Sequence, residues 1–260
     1  MTAGTVPRPW LLAIDTGTSR IVVAAGDPDG HLLGALDWPA GHRHGERLLP
    51  GIEQLLAETL LEPAGLAGVV VGTGPGAFTG LRVGLATAKT LAHARGLPIA
   101  GVGTGEALLR AAGASTAAVA AGAAGASTAA VASDAAGAAL DAVLEVPGGD
   151  LVLLLPAGPH DRVEVRARSE ARLLPGGTEP DLGPADVVVA VDLAGRAPEA
   201  AVARGERALA GLARAVVELG AARLAAGAAD DPARLVPEYV SLPRGVRATG
   251  GEIEWSHGPR

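Results

Sequence analysis

Residues 69–98, VVVGTGPGAFTGLRVGLATAKTLAHARGLP, pass from a β-branched run through a glycine-rich break into a helical pattern. Val69, Val70 and Val71 suit a buried strand, and Gly72, Gly74, Pro75 and Gly76 end it at once. From 81 to 95 most residues favour a helix, and Gly96, Leu97 and Pro98 supply its stop. Leu81, Leu85, Ala88 and Ala92 recur at helical spacing, while Arg82, Ala86, Lys89 and His93 mark a second, basic row. Gly84 and Ala88, small and four apart, let another helix approach closely, although Gly84 costs an isolated helix about 1 kcal/mol relative to Ala. Glycine-rich turns into helix N-termini bind anions through unpaired N–H groups and the helix dipole. The loop therefore reads either as a phosphate cradle or as a plain strand-to-helix connection. Neither GxGxxG nor a Gly-Lys-Ser/Thr closure is present. Phe78, the single Phe of the chain, reads as a hydrophobic plug between loop and core, with direct ligand contact as the alternative.

The whole composition sets bounds on what such a loop serves. A chain of 260 residues permits one large or two modest domains with a real hydrophobic core. It has no Cys, so thiolate chemistry and disulfides are excluded, which fits a cytoplasmic location. The net charge of -7 argues against a stand-alone nucleic-acid binder. The apolar share is 48%, but much of it is Ala, and no Leu, Ile, Val and Phe run approaches the roughly twenty residues that span a bilayer. The apolar run of residues 10–14 is too short for a signal segment and meets Asp15, so no membrane association is expected.

Trp10 to Ile14, then Asp15-Thr16-Gly17-Thr18-Ser19, then Arg20 to Ala25 read as strand, tight turn, strand; a third strand follows the Asp27-Pro28-Asp29-Gly30 turn. The first turn is similar to the first phosphate loop of the actin-like and sugar-kinase superfamily. Gly17 would allow backbone approach to an anion, Thr16 and Thr18 offer hydroxyls, and Asp15 can hold a hydrated Mg²⁺. An ordinary hairpin explains the same four residues. Residues 45–64 read as a helix with Leu48, Leu49, Ile52, Leu55, Leu56 and Leu60 inward. His42 and His44 form an HxH pair at its entrance, read as surface or capping residues, and the six His residues contain no HxxxH.

After a helix at 105–112, residues 113–120 recur letter for letter as 125–132, which reads as an Ala/Gly slippage insert, floppy or weakly helical. Residues 151–155 and 162–168 suggest a hairpin, and 186–192 a further buried strand; Asp192-Leu193-Ala194-Gly195 only faintly echoes a second phosphate loop. A long helix at 199–226, broken or bent near Gly205, Gly211 and Gly220, carries Leu209, Leu212, Val216, Val217 and Leu219 to pack back on the first lobe. The rest through Arg260 reads as an extended, then disordered tail.

The block GTGPGAFTGLRVGLATAKTLA resembles the signature of the TsaB (YeaZ) family, whose usual form is GPGSFTGLR followed by a helix ending in AKGLA; Ala77 stands where Ser is usual. His44 to Pro50 resembles that family's HSERLLP, Gly101 to Leu108 its GVSSLEAL, and Leu235 to Val240 its extended tail. The family's DARRGEVY turn stands here as Pro156-Ala157-Gly158-Pro159-His160-Asp161-Arg162-Val163-Glu164-Val165, without the acid and the tyrosine. The resemblance implies a two-lobed α/β actin-like (ASKHA, ribonuclease H-like) fold with mixed sheets flanked by helices. The first lobe would take residues 8–112, with helix 199–226 packing back on it, the insert 113–139, the second lobe 140–198 and the tail 227–260.

It further implies a non-catalytic subunit of the machinery that installs threonylcarbamoyl on the adenosine 3′ of the anticodon in tRNAs reading ANN codons. Such a subunit pairs with the catalytic TsaD, is joined by the ATPase TsaE, reaches tRNA only through the complex, and forms a homodimer when alone. TsaD carries the HxxxH metal motif that this chain lacks, so ATP, Mg²⁺ and metal belong to the partner complex and no cofactor, metal or catalytic residue is expected here. By resemblance the helix after the glycine loop is the docking surface, through Phe78, Thr79, Leu81, Arg82, Gly84, Leu85, Ala88 and Lys89. Gly84→Leu is then expected to leave the monomer folded and block assembly. The competing reading is an ATP-dependent small-molecule kinase using Asp15 to Thr18, which would need a second glycine-rich phosphate loop, an adenosine pocket and a base. A glycoprotease has neither metal motif nor nucleophile to support it.

Overall fold

The apolar runs flanking the first turn form β1 (Trp10–Asp15) and β2 (Arg20–Gly26), and an antiparallel third strand, β3 (Leu32–Pro39), completes a meander. The computed structural model describes residues 7–41, 44–123, 149–240, 246–249 and 252–255. The valine run extends into β4 (Leu66–Gly74), which pairs parallel to β1, and β5 (Ile99–Gly103) pairs parallel to β4, giving the order β3-β2-β1-β4-β5. Every residue of β1 is buried, because helices cover both faces of the sheet.

On one face lie α1 (His44–Thr59) and α2 (Phe78–Arg95), whose Leu48, Ile52, Leu55, Leu85, Ala88 and Ala92 form one core with Leu12, Ile14, Val69 and Val71. The helix expected over 45–64 ends at Thr59, where Leu60 turns to a φ of 55° and points into solvent ahead of Pro63. Gly96 ends α2 as expected, in left-handed backbone with its N–H directed at the Ala92 and His93 carbonyls.

On the other face Ala13, Val22, Ala24 and Val70 meet α3 (Thr104–Ala123) and α4 (Glu199–Ala225). Helix α3 runs past the expected end at 112 into the first copy of the duplicated tract, whose alanines favour helix; the second copy lies outside the described residues. Helix α4 is a single helix of 27 residues, not broken at its glycines. These are close-contact points: a Cβ at Gly205 would stand 1.9 Å from the Ala190 carbonyl oxygen, and one at Gly220 would stand 2.3 Å from the Val70 methyls. The helix thereby touches both lobes.

The second sheet has the order β8-β7-β6-β9, built from β6 (Leu151–Pro156), β7 (Arg162–Arg166), β8 (Ser169–Leu174) and β9 (Val187–Ala190). β6 pairs antiparallel with β7 and parallel with β9. The strand expected over 162–168 stops at Arg166 and folds back as β8, a mostly exposed edge strand whose polar sequence gave no signal. Toward the C-terminus, β10 (Val246–Thr249) and β11 (Glu252–Trp255) pair as a hairpin where disorder was expected. Among the described residues no helix is long and apolar enough to cross a membrane.

Candidate functional site

The first turn and the glycine loop interlock. Asp15 ends β1 with its side chain buried, accepting the Gly17 N–H at 2.9 Å and the Thr104 hydroxyl at 2.8 Å. The Thr104 oxygen in turn accepts the Gly74 N–H at 3.1 Å, so one short chain of bonds ties β1, β4 and α3 together. Burial pushes the Asp15 carboxyl up to about 6, against the lowering effect of those two hydrogen bonds. The carboxylate points between the strands, where a Cβ at Gly72 would come within 2.0 Å of it. In this orientation each Asp15 oxygen accepts one hydrogen bond from within the chain. Thr16 is likewise taken up, donating to the Gly80 carbonyl at 2.8 Å. The Gly17 carbonyl accepts the Ala77 N–H at 2.8 Å, and only glycine fits at Gly76, whose Cβ would stand 2.1 Å from that carbonyl oxygen. Gly74, at a φ of 109°, makes the entry into the loop possible.

Gly17 and Thr18 do reach the cleft between the lobes, a space of about 420 Å³ closed on the far side by Leu155, Pro156, Gly158 and Asp192. There the Ser19 N–H donates to Asp192 Oδ2 at 2.7 Å and its hydroxyl donates to Oδ1. Asp192, at a φ of 57°, thus clasps the first turn from the second lobe. Among the described residues lining the cleft no cation is present and Asp192 is the one carboxylate. A phosphate there would meet an engaged acid and no Lys or Arg.

Helix α2 has two unlike sides. Leu81, Gly84, Leu85 and Ala88 are buried against the chain's own sheet and first turn. This corrects their expected place at a partner interface: a Cβ at Gly84 would lie 2.3 Å from Thr16 Oγ1, so the close approach that the small residues permit is made within the chain. The outer side carries Thr79, Arg82, Ala86, Thr90 and His93, all exposed, with Phe78 and Lys89 half-buried.

Alongside runs the segment 229–240 as a strap. Asp230 fastens it to β5 by accepting the Gly101 N–H at 2.7 Å, and its own N–H donates to the Ile99 carbonyl at 2.8 Å. Lys89 Nζ donates to the Leu235 carbonyl at 2.9 Å, and the Glu238 N–H donates to the Thr73 carbonyl at 2.7 Å. Burial raises the Glu238 carboxyl above its ordinary range. Arg82 Nε donates to the Tyr239 hydroxyl at 3.0 Å while its guanidinium lies 3.8 Å over the Phe78 ring, whose centroid is 5.0 Å from that of Tyr239. Phe78 is thus half of a surface aromatic pair and not a plug in the core. Tyr239 was not among the expected site residues; its signal was that it is the single Tyr of the chain.

Elsewhere Asp27, Asp29 and His31 bring ligand atoms within 4.8 Å of one another. The Asp27 carboxylate is already taken up by the Asp29 and His31 N–H groups, the His31 ring and Arg8. His42 lies outside the described residues, and His44 opens α1.

A family model described as TsaD, tRNA N6-adenosine threonylcarbamoyltransferase, matches residues 39–149. The chain is 34% identical over 98 residues to the tRNA threonylcarbamoyladenosine biosynthesis protein TsaB of Bacillus subtilis, covering 38% of this chain and 42% of that one. An uncharacterized protein of Mycobacterium leprae is 44% identical over 95 residues, covering 35% of this chain and 26% of its own. The matched stretches thus span less than half the length of these relatives. The structure of YeaZ from Pseudomonas aeruginosa aligns with a TM-score of 0.58 at 19% identity, over 89% of this chain and 99% of that chain, and has the actin-like fold. The glycine-loop block, the curated TsaB relatives and this shared fold together support the TsaB (YeaZ) family.

Proposed function

We propose that the chain is a non-catalytic subunit in the formation of tRNA threonylcarbamoyladenosine. It docks a TsaD-type transferase through the outer side of α2 and leaves nucleotide, metal and group transfer to that partner and to a TsaE-type ATPase, tRNA being reached only through the complex. The observation that carries this reading is the state of the first turn. Asp15 is bonded to Thr104, Thr16 to Gly80 and Ser19 to Asp192, so the groups that would serve a nucleotide are engaged inside the chain. The TsaB relatives bear the name of the same pathway. Reconstitution tests it: the chain alone, given threonylcarbamoyl-adenylate, Mg-ATP and tRNA, should form no modified adenosine, and adding TsaD- and TsaE-type subunits should make formation depend on the chain. Modified adenosine formed by the chain alone would overturn the non-catalytic role, and tight Mg-ATP binding by calorimetry would favour a small-molecule kinase instead.

A further inference from the structure

Asp192 combines an uncommon backbone with a distant target. Its φ of 57° lies in the left-handed region, which a non-glycine residue adopts at a cost. Aspartates found there ordinarily bond back to their own turn. Asp192 does not: among the described residues both of its carboxylate oxygens go to Ser19, 173 residues away, one accepting the backbone N–H and the other the hydroxyl. A local turn therefore fails to account for the conformation, and the contact across the lobes accounts for it.

Ser19 is held as firmly as its partner. Its carbonyl accepts the Ala40 N–H at 2.8 Å, which ties it to the end of β3, while its own N–H and hydroxyl are both directed at Asp192. The rest of the cleft offers nothing comparable. Thr18 turns its hydroxyl to the Arg20 carbonyl at 3.2 Å, and the other lining residues are glycines or apolar, with Ala40 and Ala77 on the first lobe and Leu155 and Pro156 on the second. Among the described residues no other hydrogen bond joins the two walls of the cleft.

Elsewhere the lobes are joined by α3 and α4, whose Leu108, Leu212 and Val216 share one core with Val70 of the first sheet and Leu153 of the second. Apolar packing is non-directional and tolerates small sliding of one body on another. A two-point bond to one carboxylate fixes both angle and register. We propose that Ser19 and Asp192 form a latch that holds the lobes closed over the cleft, and that Asp192 keeps its left-handed backbone in order to reach across. The apolar space of about 420 Å³ between the lobes then stays shut without any ligand, and the chain behaves as one rigid body instead of two hinged lobes.

The chain has no Cys, so a pair of labels can be added without background. In the full-length chain, Ala77→Cys on the first wall and His160→Cys, two residues beyond Gly158 of the second, are spin-labelled and their separation is measured by pulsed electron resonance. With the latch intact the distribution should be single and narrow. Asp192→Gly relieves the backbone and removes both acceptors; it should move the distribution to longer distances, broaden it, and speed hydrogen exchange of the Ser19 amide about tenfold or more, in a chain that still unfolds cooperatively. Ser19→Ala, which keeps the N–H bond, should give a smaller shift. The two combined should match Asp192→Gly alone, because both remove the same contact. An unchanged distribution in Asp192→Gly, an intact chain already as broad as that variant, or a combined variant whose effects simply add would each overturn the latch. If Asp192→Gly does not fold, Asp192→Asn, which tolerates the same backbone and keeps one acceptor, takes its place, and unchanged distances in it and in Ser19→Ala overturn the latch equally.

Discussion

The inward and outward sides of α2 differ in what they meet, though both repeat at helical spacing. Inward, Gly84 and Ala88 are small because the turn at Thr16 and the strands beneath lie against them. Outward, Ala86 and Thr90 are small and exposed, with none of the described residues covering them. Periodicity separates two rows of a helix, but a small apolar row is equally suited to the chain's own backbone and to a partner's helix. What decides is the parallel β1–β4–β5 sheet, which needs a helix on this face and takes the greasier row.

Substitutions at matched depth along the helix should widen this contrast. Gly84→Leu forces a side chain into Thr16 and should destabilise the monomer by about 3 kcal/mol or more, seen as a large fall in the urea midpoint. A folded Gly84→Leu monomer that merely failed to bind its partner would restore the inner row as an interface.

Next in size is a pH effect beneath the same inner row. Asp15 is raised by burial from 3.8 to about 6, so below about pH 4 it is protonated in both folded and unfolded chains and contributes nothing. As pH rises toward 6 the unfolded chain ionises first, and stability falls by about 3 kcal/mol in all, a cost that persists at higher pH. Asp15→Asn should abolish that slope, measured as the difference between variant and wild type in urea unfolding at pH 4 and pH 7. In the second lobe, Glu164 is also buried, but Arg166 and Arg172 outweigh the burial and hold its carboxyl below the usual range. Its contribution should be lost on acidification, the opposite sign.

Smaller still, Tyr239→Ala releases the strap from Arg82 and Phe78 and should cost about 1 kcal/mol while leaving the sheet intact, with faster hydrogen exchange confined to the strap. On the outer row, Ala86→Leu should stay within about 0.5 kcal/mol of wild type in unfolding. A large loss there would mean that the outer row is packed after all.

Much of the first lobe was legible because its signals are local. The valine run, the glycine break and the Gly96 stop each act on their own neighbours and locate β4, the loop and α2, although β4 runs on to Gly74 and α2 starts at Phe78, ahead of the expected residue 81. What escaped the sequence depends on distant partners. Arg82 and Tyr239 are 157 residues apart, and Ser19 and Asp192 are 173 apart, so no window reveals that the tail and the second lobe complete the surroundings of the first turn. β8 escaped because an exposed edge strand need not alternate. The glycines of α4 suggest breaks when read as helix propensity and become contact points only once Ala190 and Val70 are seen against them.

Helix α4 also bears on the order in which the protein is made. One face of the first sheet is roofed partly by α3, which follows β5 directly, and partly by α4, which leaves the ribosome about a hundred residues later, so the share of Ala13, Val22 and Val70 that α4 covers waits while the second lobe is synthesised. A nascent chain halted before Glu199 would leave the part of the sheet that α4 covers open to chaperones, and the first lobe can close only after the second lobe has been made.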